Sequence, residues 1–384
     1  RKPIRNKGVT SRSQTTVVQS VPAPTGGWNA RDSIANMDPR DAVTLKNIFP
    51  TTIDCVLRGG YTDYGTTTGG LNETLAVYNR ITGTSSLFSC SNGGVFDCSN
   101  PGTGTDQSLT VTNGRFQYVN FGDGTNNWLI MVNGVDSPKY YNGSWIEVDG
   151  TTSPLLNGSA IPTDLVHVVS YHGRLFFLEK NSLSFHYLPA GAAGGTLVEF
   201  DLSSFADKGG YLMWVDTWSF DGGDGPDDYI CFMTSEGQAI IYRGVNPSSA
   251  TTWVRVGTYN IVGKPLGRRA HIKFEGDLIA LTQSGAFPLS EALKKSEENP
   301  FVAVTNKIDQ AFTEAARNYG DNFGWSATIL PLRTAMIINI PVSESQDQKQ
   351  YVMNTITKNW CEFDSWNASC FAVFNDDLYF GSNG

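Results

Sequence analysis

The chain has 384 residues, of which 40% are hydrophobic, 17% are charged and 40 are glycine, and its formal net charge is −9. This length and this turn-rich composition suit a β-propeller of about six blades better than a small β-sandwich. The acidic balance argues against a surface that grips DNA, because phosphate binding needs clustered Lys and Arg. It is compatible with a duct through which DNA slides. No run approaches the ~20 apolar residues of a membrane-spanning helix.

Residues 1–21 are predicted to form an extended arm that precedes the propeller. The arm is polar, lacks hydrophobic periodicity and contains five basic residues: Arg1, Lys2, Arg5, Lys7 and Arg12. An arm of this kind often becomes ordered only when it lies on a neighbour. The chain begins with Arg and ends inside a predicted turn, and no signal peptide is visible. We therefore expect the true N-terminus to be missing and the C-terminus to be truncated.

Residues 22–61 have the most distinctive pattern of Pro, Gly and helix-capping residues in the chain. Asp38 and Pro39 suit the cap and the first position of a helix, which predicts a short helical turn that Pro50 ends. The apolar residues expected to face inward from it are Ala42, Leu45, Ile48 and Phe49. A strand is predicted at residues 53–57, and the glycines that follow predict a turn away from it.

A two-stranded unit recurs along the chain, and residues 228–244 (DYICFMTSEGQAIIYRG) show it best. An apolar run is followed by turn residues that include Gly237, which accepts a positive φ, and a second apolar run returns. Similar openings occur at residues 87–90, 129–132, 175–178, 278–281, 336–340 and 378–381. The steps of roughly 40–60 residues are those of propeller blades. Because an isolated hairpin cannot bury its apolar face, the units must stack. We predict that residues 22–384 form an all-β, irregular propeller of about six blades.

Turn residues between these units predict further hairpins and loops. Residues 140–148 are typical of a hairpin with the two-residue turn Asn142-Gly143. Residues 166–188 predict two hairpins, with turns at His172, Gly173 and Asn181. Polar loops are expected at residues 151–159, 191–195 and 220–228.

A helical insertion is predicted over about residues 290–320, near the rim of the propeller. Asn306 is expected to cap its main helix and Gly320 to stop it. The apolar residues at helical spacing are Ile308, Ala311, Phe312, Ala315, Ala316 and Tyr319. This stripe indicates core packing against the propeller edge, and docking into the groove of a partner is the alternative.

The six cysteines form no C-x-x-C pair: Cys55, Cys90, Cys98, Cys231, Cys361 and Cys370. Cys90 and Cys98 flank one turn, so a disulfide between them is one interpretation. Buried free thiols are the simpler one.

A candidate calcium site lies in the Gly-rich stretch at residues 220–228. Asp221, Asp224 and Asp227 could supply oxygen ligands, together with Asp228. Their spacing does not match an EF-hand, and Asp and Gly are also the default turn residues. Ser219-x-Asp221-x-Gly223 begins like the Asp-box of sialidases, which is a structural turn without catalysis. We therefore expect a turn and no metal.

No catalytic constellation stands out. Metal-binding spacing is missing among the four histidines, His167, His172, His186 and His271. The chain has no G-x-S-x-G motif, P-loop or dinucleotide-binding fingerprint. Buried blade aromatics are a better interpretation than sugar platforms for three tryptophans, Trp145, Trp253 and Trp360. We expect no enzyme activity and no cofactor.

Several short patterns follow one another in the order seen in a known family. Between residues 26 and 61 the chain reads G-G-x-N-x-R-D, M-x-P-x-D-A, N-x-F-P and R-x-G-Y. The residues that carry these patterns are Gly26, Gly27, Asn29, Arg31, Asp32, Met37, Pro39, Asp41, Ala42, Asn47, Phe49, Pro50, Arg58, Gly60 and Tyr61. The match continues through residues 114–122, 132–136, 141–145, 324–325, 339–341, 350–354 and Trp360. In this order the patterns resemble the tail nozzle (tail tubular) proteins of short-tailed, podovirus-like bacteriophages.

The resemblance implies an architectural role in the virion. The family assembles a homo-oligomeric ring, usually of six copies, beneath an adaptor ring on the portal, and the genome leaves through its duct. The implied partners are other copies of this chain, the tail adaptor protein, tail fibres and, transiently, genomic DNA without sequence-specific binding. The implied location is the phage tail, after synthesis in the bacterial host cytoplasm. We expect an acidic duct, which would keep DNA from sticking.

Two other functions are compatible with a propeller. A glycan-binding or glycan-cleaving propeller, such as a receptor-binding protein, would bind sugar as a monomer. A scaffold propeller would bind one partner on its top face. Oligomeric state and sugar binding distinguish the nozzle from the glycan propeller, because a ring requires heterologous interfaces that close.

Overall fold

The computed structural model of the chain describes residues 20–68, 70–80, 83–91, 93–149, 151, 153–221, 226–293, 302–344 and 348–382. Nearly all of the predicted arm, residues 1–19, lies outside the described residues. Within them the chain is mostly β and forms a six-bladed propeller, which confirms the predicted fold class. None of the described helices is long and apolar enough to cross a membrane.

The strands before and in the first three blades follow chain order. Ahead of the blades lie β1 (Gly27–Trp28), β2 (Asp41–Ala42), β3 (Ile48–Pro50), β4 (Cys55–Leu57) and β5 (Gly65–Thr66). Blade one contains β6 (Asn72–Tyr78), β7 (Ser86–Ser91), β8 (Gly94–Asp97) and β10 (Thr105–Asp106), whereas β9 (Gly102–Thr103) pairs with β5. Blade two contains β11 (Gln117–Gly122), β12 (Asn127–Val132), β13 (Lys139–Tyr141) and β14 (Trp145–Glu147). Blade three contains β15 (Leu156–Gly158), β16 (Leu165–Tyr171), β17 (Arg174–Glu179), β18 (Ser184–Tyr187) and β19 (Gly195–Asp201).

The last three blades are followed by a hairpin. Blade four contains β20 (Leu212–Asp221), β21 (Pro226–Thr234), β22 (Gln238–Gly244) and β23 (Trp253–Asn260). Blade five contains β24 (His271–Phe274), β25 (Asp277–Thr282) and β26 (Gly285–Pro288), and α1 (Leu289–Leu293) and α2 (Asp309–Tyr319) follow it. Blade six contains β27 (Ser326–Leu330), β28 (Ala335–Ile340), β29 (Lys349–Asn354) and β30 (Trp360–Asp364), before the hairpin β31 (Cys370–Phe374) and β32 (Asp377–Gly381). Short 3-10 turns occupy Ile34–Asn36, Pro162–Asp164, Ser203–Phe205, Asn306–Ile308 and Pro331–Arg333.

The recurring apolar openings are the second strand of each sheet: β7, β12, β17, β21, β25, β28 and, in the final hairpin, β32. In the six blades this strand is nearly all buried where its side chains are described, as in β28, where every residue is buried. A strand covered on both faces reads as a continuous apolar run rather than as an alternation. The repeat found in the sequence is therefore the spacing of these second strands.

The hairpin β31–β32 fills the space between blades one and six. Ala372 and Phe374 are buried against Leu75 and Val77 of blade one. On its other side, Phe371 packs against the core that blade six shares with α2. The hairpin therefore joins the first blade to the last.

The residues before blade one differ from the prediction. The expected helical turn at residues 38–50 is wrong, because Asp41–Ala42 and Ile48–Pro50 are strands. Asp38 does accept a hydrogen bond from the Arg40 backbone N–H at 2.8 Å, but it organises a turn. The backbone bonds instead to neighbouring strands, since β2 pairs in parallel with β1. The inward packing is confirmed: Leu45 is buried and its apolar neighbours pack on the same cluster.

The predicted hairpins are largely confirmed. Residues 166–188 form β16 to β18, with positive φ at His172, Gly173 and Asn181. The turn after Tyr141 is wrong by one residue, because Tyr141 pairs with Trp145 and leaves three residues between the strands.

Two of the predicted loops contain strand residues. Residues 151–159 include β15, which pairs in parallel with β19 of its own blade. Residues 220–228 extend a long hairpin, since β20 reaches Asp221 and β21 begins at Pro226. The loop predictions missed both because Asn, Gly and Asp are turn-rich residues that a neighbouring strand can still pair.

The helical insertion is confirmed, and its stripe packs into the core. α2 ends at Tyr319, with Gly320 following it. Phe312, Ala315 and Ala316 are buried with Trp325 of the cluster that holds blade six. Asn306 is not the cap, because it begins a 3-10 turn that precedes the helix and no side chain caps that turn. The alternative of a helix docked in a partner is therefore not supported for this face.

All six cysteines are free, so the disulfide interpretation of Cys90 and Cys98 is wrong. Five are buried, and burial raises their pKa, in Cys98 to about 11. Only Cys55 is partly exposed. Because reactivity needs an accessible thiolate, we expect one thiol per native chain to react readily with Ellman's reagent and all six to react after denaturation. Fast reaction of several thiols in the native protein would contradict this packing.

Candidate functional site

The first half of the family pattern forms one hydrogen-bond network around the buried side chain of Asn29. Its amide nitrogen donates to Asp32 Oδ2 at 2.9 Å and to Asp41 Oδ2 at 2.8 Å. The side-chain oxygen Oδ1 of Asn29 accepts hydrogen bonds from the backbone N–H groups of Arg31 and Asp32. Lys307, from the 3-10 turn before α2, pairs with Asp41 Oδ1 at 2.7 Å. The network therefore ties the chain near Asn29 to the helical insertion.

Charge on Asp32 is stabilised by the same network. Arg31 pairs with it at 2.9 Å. Hydrogen bonds from Arg31 and then from Asn29 lower the pKa of Asp32 to about 2. The carboxylate therefore stays ionised throughout the neutral range, as its role as an acceptor requires.

Gly26 and Gly27 are required by close approach. A Cβ on Gly26 would meet Asp41 Oδ1 and lie 2.9 Å from the Arg40 carbonyl oxygen. A Cβ on Gly27, whose φ is +83°, would lie 2.7 Å from the Trp360 carbonyl oxygen. Gly26 therefore allows the chain to lie close to residues 40 and 41, and Gly27 allows it to lie close to blade six.

The second half of the pattern covers the outer edge of blade six. The Asn47 backbone N–H donates to the Glu362 carbonyl oxygen at 2.8 Å, and the Glu362 N–H donates to the Leu45 carbonyl oxygen at 2.9 Å. These bonds occupy the free edge of β30, which would otherwise be open for pairing. The chain before blade one therefore covers the outer edge of blade six, and we call this segment the cover.

Arg58 is held by side chains of this cover and of blade six. Its Nε donates to Asn47 Oδ1 at 3.0 Å, and its guanidinium lies 4.8 Å from the centre of the Trp366 ring. Asn47 Nδ2 donates to Asp364 Oδ1 at 2.6 Å. Pro50 is fixed from β29, because Asn354 Nδ2 donates to its carbonyl oxygen at 2.9 Å. Pattern residues such as Asn47, Pro50 and Arg58 are therefore structural.

Other pattern residues face solvent. Tyr61 is more than half exposed, and its ring makes an edge contact with the ring of Phe380. A Cβ on Gly60 would meet no atom within 4 Å. Nothing in the fold explains why the pattern has Gly at position 60.

An exposed apolar surface lies beside this cover, and we call it the hairpin patch: Ile53, Leu57, Leu332 and Ile356. Their exposed fractions are 84%, 81%, 73% and 65% respectively. Ile53 and Leu57 lie on the β3–β4 hairpin, which Asn354 ties to the turn that carries Ile356. The turn of Leu332 joins the same end of blade six, since the Thr355 N–H donates to the Thr334 carbonyl oxygen.

The calcium candidates are not brought together as a described site. Asp224 lies outside the described residues, and so do the side chains of Asp221 and Asp227. Asp228 is exposed and accepts a hydrogen bond from the Ser219 hydroxyl. Among the residues that the structure describes, no group of three or more acidic, His or Cys side chains could hold a metal.

A central cavity of about 390 Å³ lies where the inner strands of the blades meet. Its polar and charged lining includes Gln117, His167, Ser170, Asp216, Arg269, His271, Lys273 and Thr328. The sequence names both histidines as candidates but gives no link between them, because His167 is on blade three and His271 is on blade five. Arg269 is not among the candidates that the sequence singles out. The signal for it is the Arg268-Arg269 pair just before β24, a strand that lines the cavity.

The remaining histidines and tryptophans have structural places. His172 is a turn residue, as predicted, and His186 Nε2 lies 3.2 Å from Glu179 on the neighbouring strand. Trp253 and Trp360 are buried. Trp145 packs on Phe88, with ring centres 4.9 Å apart. These tryptophans are therefore not exposed platforms for sugar.

No protein-family model and no curated protein matches the chain. Among solved structures, the chain is similar to the extracellular domain of a hybrid two-component system from B. thetaiotaomicron, with a TM-score of 0.50 and 13% identity. That match covers 84% of this chain and 40% of the other. Chaetomium thermophilum Raptor matches with a TM-score of 0.49 and 9% identity, over 83% of this chain and 27% of Raptor. The chain thus spans less than half the length of either protein, and the likeness concerns the fold alone.

Proposed function

We propose that the chain is a subunit of the tail nozzle ring of a short-tailed bacteriophage. The observation that carries the proposal is where the exposed apolar side chains lie. Among the described residues, ten large apolar side chains are more than half exposed, and six of them fall within residues 21–61. These six are Val21, Ile34, Val43, Ile53, Leu57 and Tyr61. Residues 21–61 also carry most of the pattern that resembles the nozzle family, and clusters of exposed apolar side chains mark interaction sites.

The exposed side chains are held on a rigid support. The Asn29 network and the bonds to β30 fix the backbone that carries them. A preorganised surface loses less conformational entropy on binding than a flexible one. The hairpin patch is therefore suited to a permanent contact with another subunit.

A ring needs a second surface on each subunit, because its contacts are heterologous. On the outer side of the disc, β19 of blade three exposes Val198 beyond its pairing with β15, and the edge strand β23 of blade four exposes Val254. Blade three lies across the disc from blade six. In the proposed ring, the hairpin patch of one copy meets the outer strands of the next.

Native mass spectrometry of the 384-residue chain tests the proposal. We expect a closed assembly, with six chains of 41.8 kDa giving about 250 kDa. We expect the same sample to bind nothing on a glycan array, where the alternative glycan-binding propeller would bind. A 41.8-kDa monomer that binds glycans would contradict the proposal and support that alternative.

A further inference from the structure

The central cavity has the volume of a small-molecule site. Its ~390 Å³ is within the range of pockets that hold metabolite-sized ligands. Inner strands from all six blades and from the β31–β32 hairpin contribute to the lining. The cavity is therefore a place where groups distant in sequence converge.

Arg269 brings a positive charge to this cavity without an acidic partner. Its guanidinium donates to the Glu73 carbonyl oxygen at 2.7 Å, to the Phe116 carbonyl oxygen at 2.8 Å and to the Thr74 hydroxyl. No carboxylate among the described residues lies within ion-pair distance of it. The Glu73 carboxylate is engaged by Arg115 at 2.8 Å. The Glu73 carboxylate attracts Arg269 electrostatically but does not pair with it directly, so an anion in the cavity would supply a closer counter-ion for this partly buried charge.

Neighbouring groups add to this positive charge. Arg268 donates to the Met213 carbonyl oxygen at 2.7 Å and, in the described part of the chain, it too has no acidic partner. Lys273 pairs with Asp216 at 2.9 Å, and the Lys273 side chain is half exposed. The cavity lining therefore has two cations, Arg269 and Lys273, and one carboxylate, Asp216, although the net charge of the chain is −9.

Two histidines present unused nitrogen atoms at the same place. The side chain of His167 is 6% exposed, and its ring centre lies 5.8 Å from that of His271. Within the described structure, neither Nδ1 atom has a hydrogen-bond partner. Buried polar atoms without partners are uncommon in folded proteins, so both rings, which line the cavity, have an unmet hydrogen-bonding capacity.

We propose that the central cavity binds a small oxyanion, a phosphate or a carboxylate, among Arg269, Lys273, His167 and His271. The anion supplies the negative charge that Arg269 lacks and accepts a hydrogen bond from Lys273. The histidines complete the site when they are protonated and donate to it. This site is separate from the hairpin patch and does not depend on the ring.

Binding at this site is coupled to protonation of the histidines. Burial lowers the pKa of both, and the charges of Arg268 and Arg269 lower that of His167 further. His271 is faced by Asp216 at 3.5 Å, by Lys273 and by the stacked ring of Trp214. A bound anion favours the charged imidazolium. Because both pKa values lie below the ordinary histidine value of about 6.5, affinity is expected to rise as the pH falls through and below that value.

Isothermal titration calorimetry of the full chain tests the site with two probes, inorganic phosphate and acetate, at constant ionic strength. The informative variant is Lys273→Gln, because Arg269 also ties two blades together and its replacement endangers folding. We expect Lys273→Gln to weaken binding of whichever probe binds by about tenfold or more. The matched control is Lys264→Gln, which removes the same charge from an exposed ion pair with Glu236.

The two variants separate a specific site from general electrostatics. Loss of affinity in Lys273→Gln but not in Lys264→Gln, with tighter binding at low pH, supports the site. Binding of phosphate alone or of acetate alone also supports it and identifies the anion. Absence of saturable heat for both probes overturns the proposal, and so does equal weakening by the two variants.

Discussion

Replacing Ile53 and Leu57 together with Ser is expected to convert the proposed ring into monomers without unfolding the propeller. Both side chains are more than four-fifths exposed in the single chain, so the fold does not depend on them. Burying a large aliphatic side chain at an interface contributes about 2 kcal/mol. Losing two of them at each contact weakens that contact by roughly 1,000-fold. Light scattering over a dilution series measures the change.

The control for this variant replaces two apolar residues that lie outside the hairpin patch. Val135 and Val262 are exposed by 46% and 45% on loops of other blades. Their double replacement with Ser is expected to leave the ring intact. If the Ile53 and Leu57 variant keeps the mass of the wild-type ring, the hairpin patch is not the contact.

Gly27→Ala is expected to destabilise the protein by about 3 kcal/mol. A positive φ is strained for Ala, and the new Cβ would lie 2.7 Å from the carbonyl oxygen of Trp360. Trp360 is fully buried, so its backbone cannot easily move away. Urea unfolding followed by tryptophan fluorescence measures the loss.

Gly60→Ala is the matched control, because both glycines belong to the family pattern. The Cβ at position 60 meets no atom within 4 Å, so we expect a change below about 0.5 kcal/mol. Equal destabilisation by the two substitutions would contradict the close approach of Gly27 to blade six.

The blades can be predicted from the sequence because their second strands are continuous apolar runs. Turn residues with positive φ mark where these strands begin or end, as His172 does before β17 and Gly237 does after β21. In the segment before blade one the predicted helical turn is wrong, because Asp38 and Pro39 favour a helix start only locally. Their neighbours instead pair with strands, and the partner at the edge, Glu362, is more than 300 residues away in the chain.

The central cavity was not predictable by the same route. His167, Asp216 and Arg269 come from three different blades, and no local pattern states that inner strands meet at one axis. A sequence signal existed only for the arginine pair, and nothing in the local pattern assigned it to the centre. The contacts that pattern residues such as Asp41 and Asn47 make with Lys307 and Asp364 could be found only from the fold.

Electron cryomicroscopy of the purified chain distinguishes the proposed ring from separate propellers. We expect class averages of a closed ring of propellers, with six copies around an open duct. We also expect the β3–β4 hairpin of each copy to lie against the next propeller. Images of single, separate propellers at the same concentration would rule out the proposed ring.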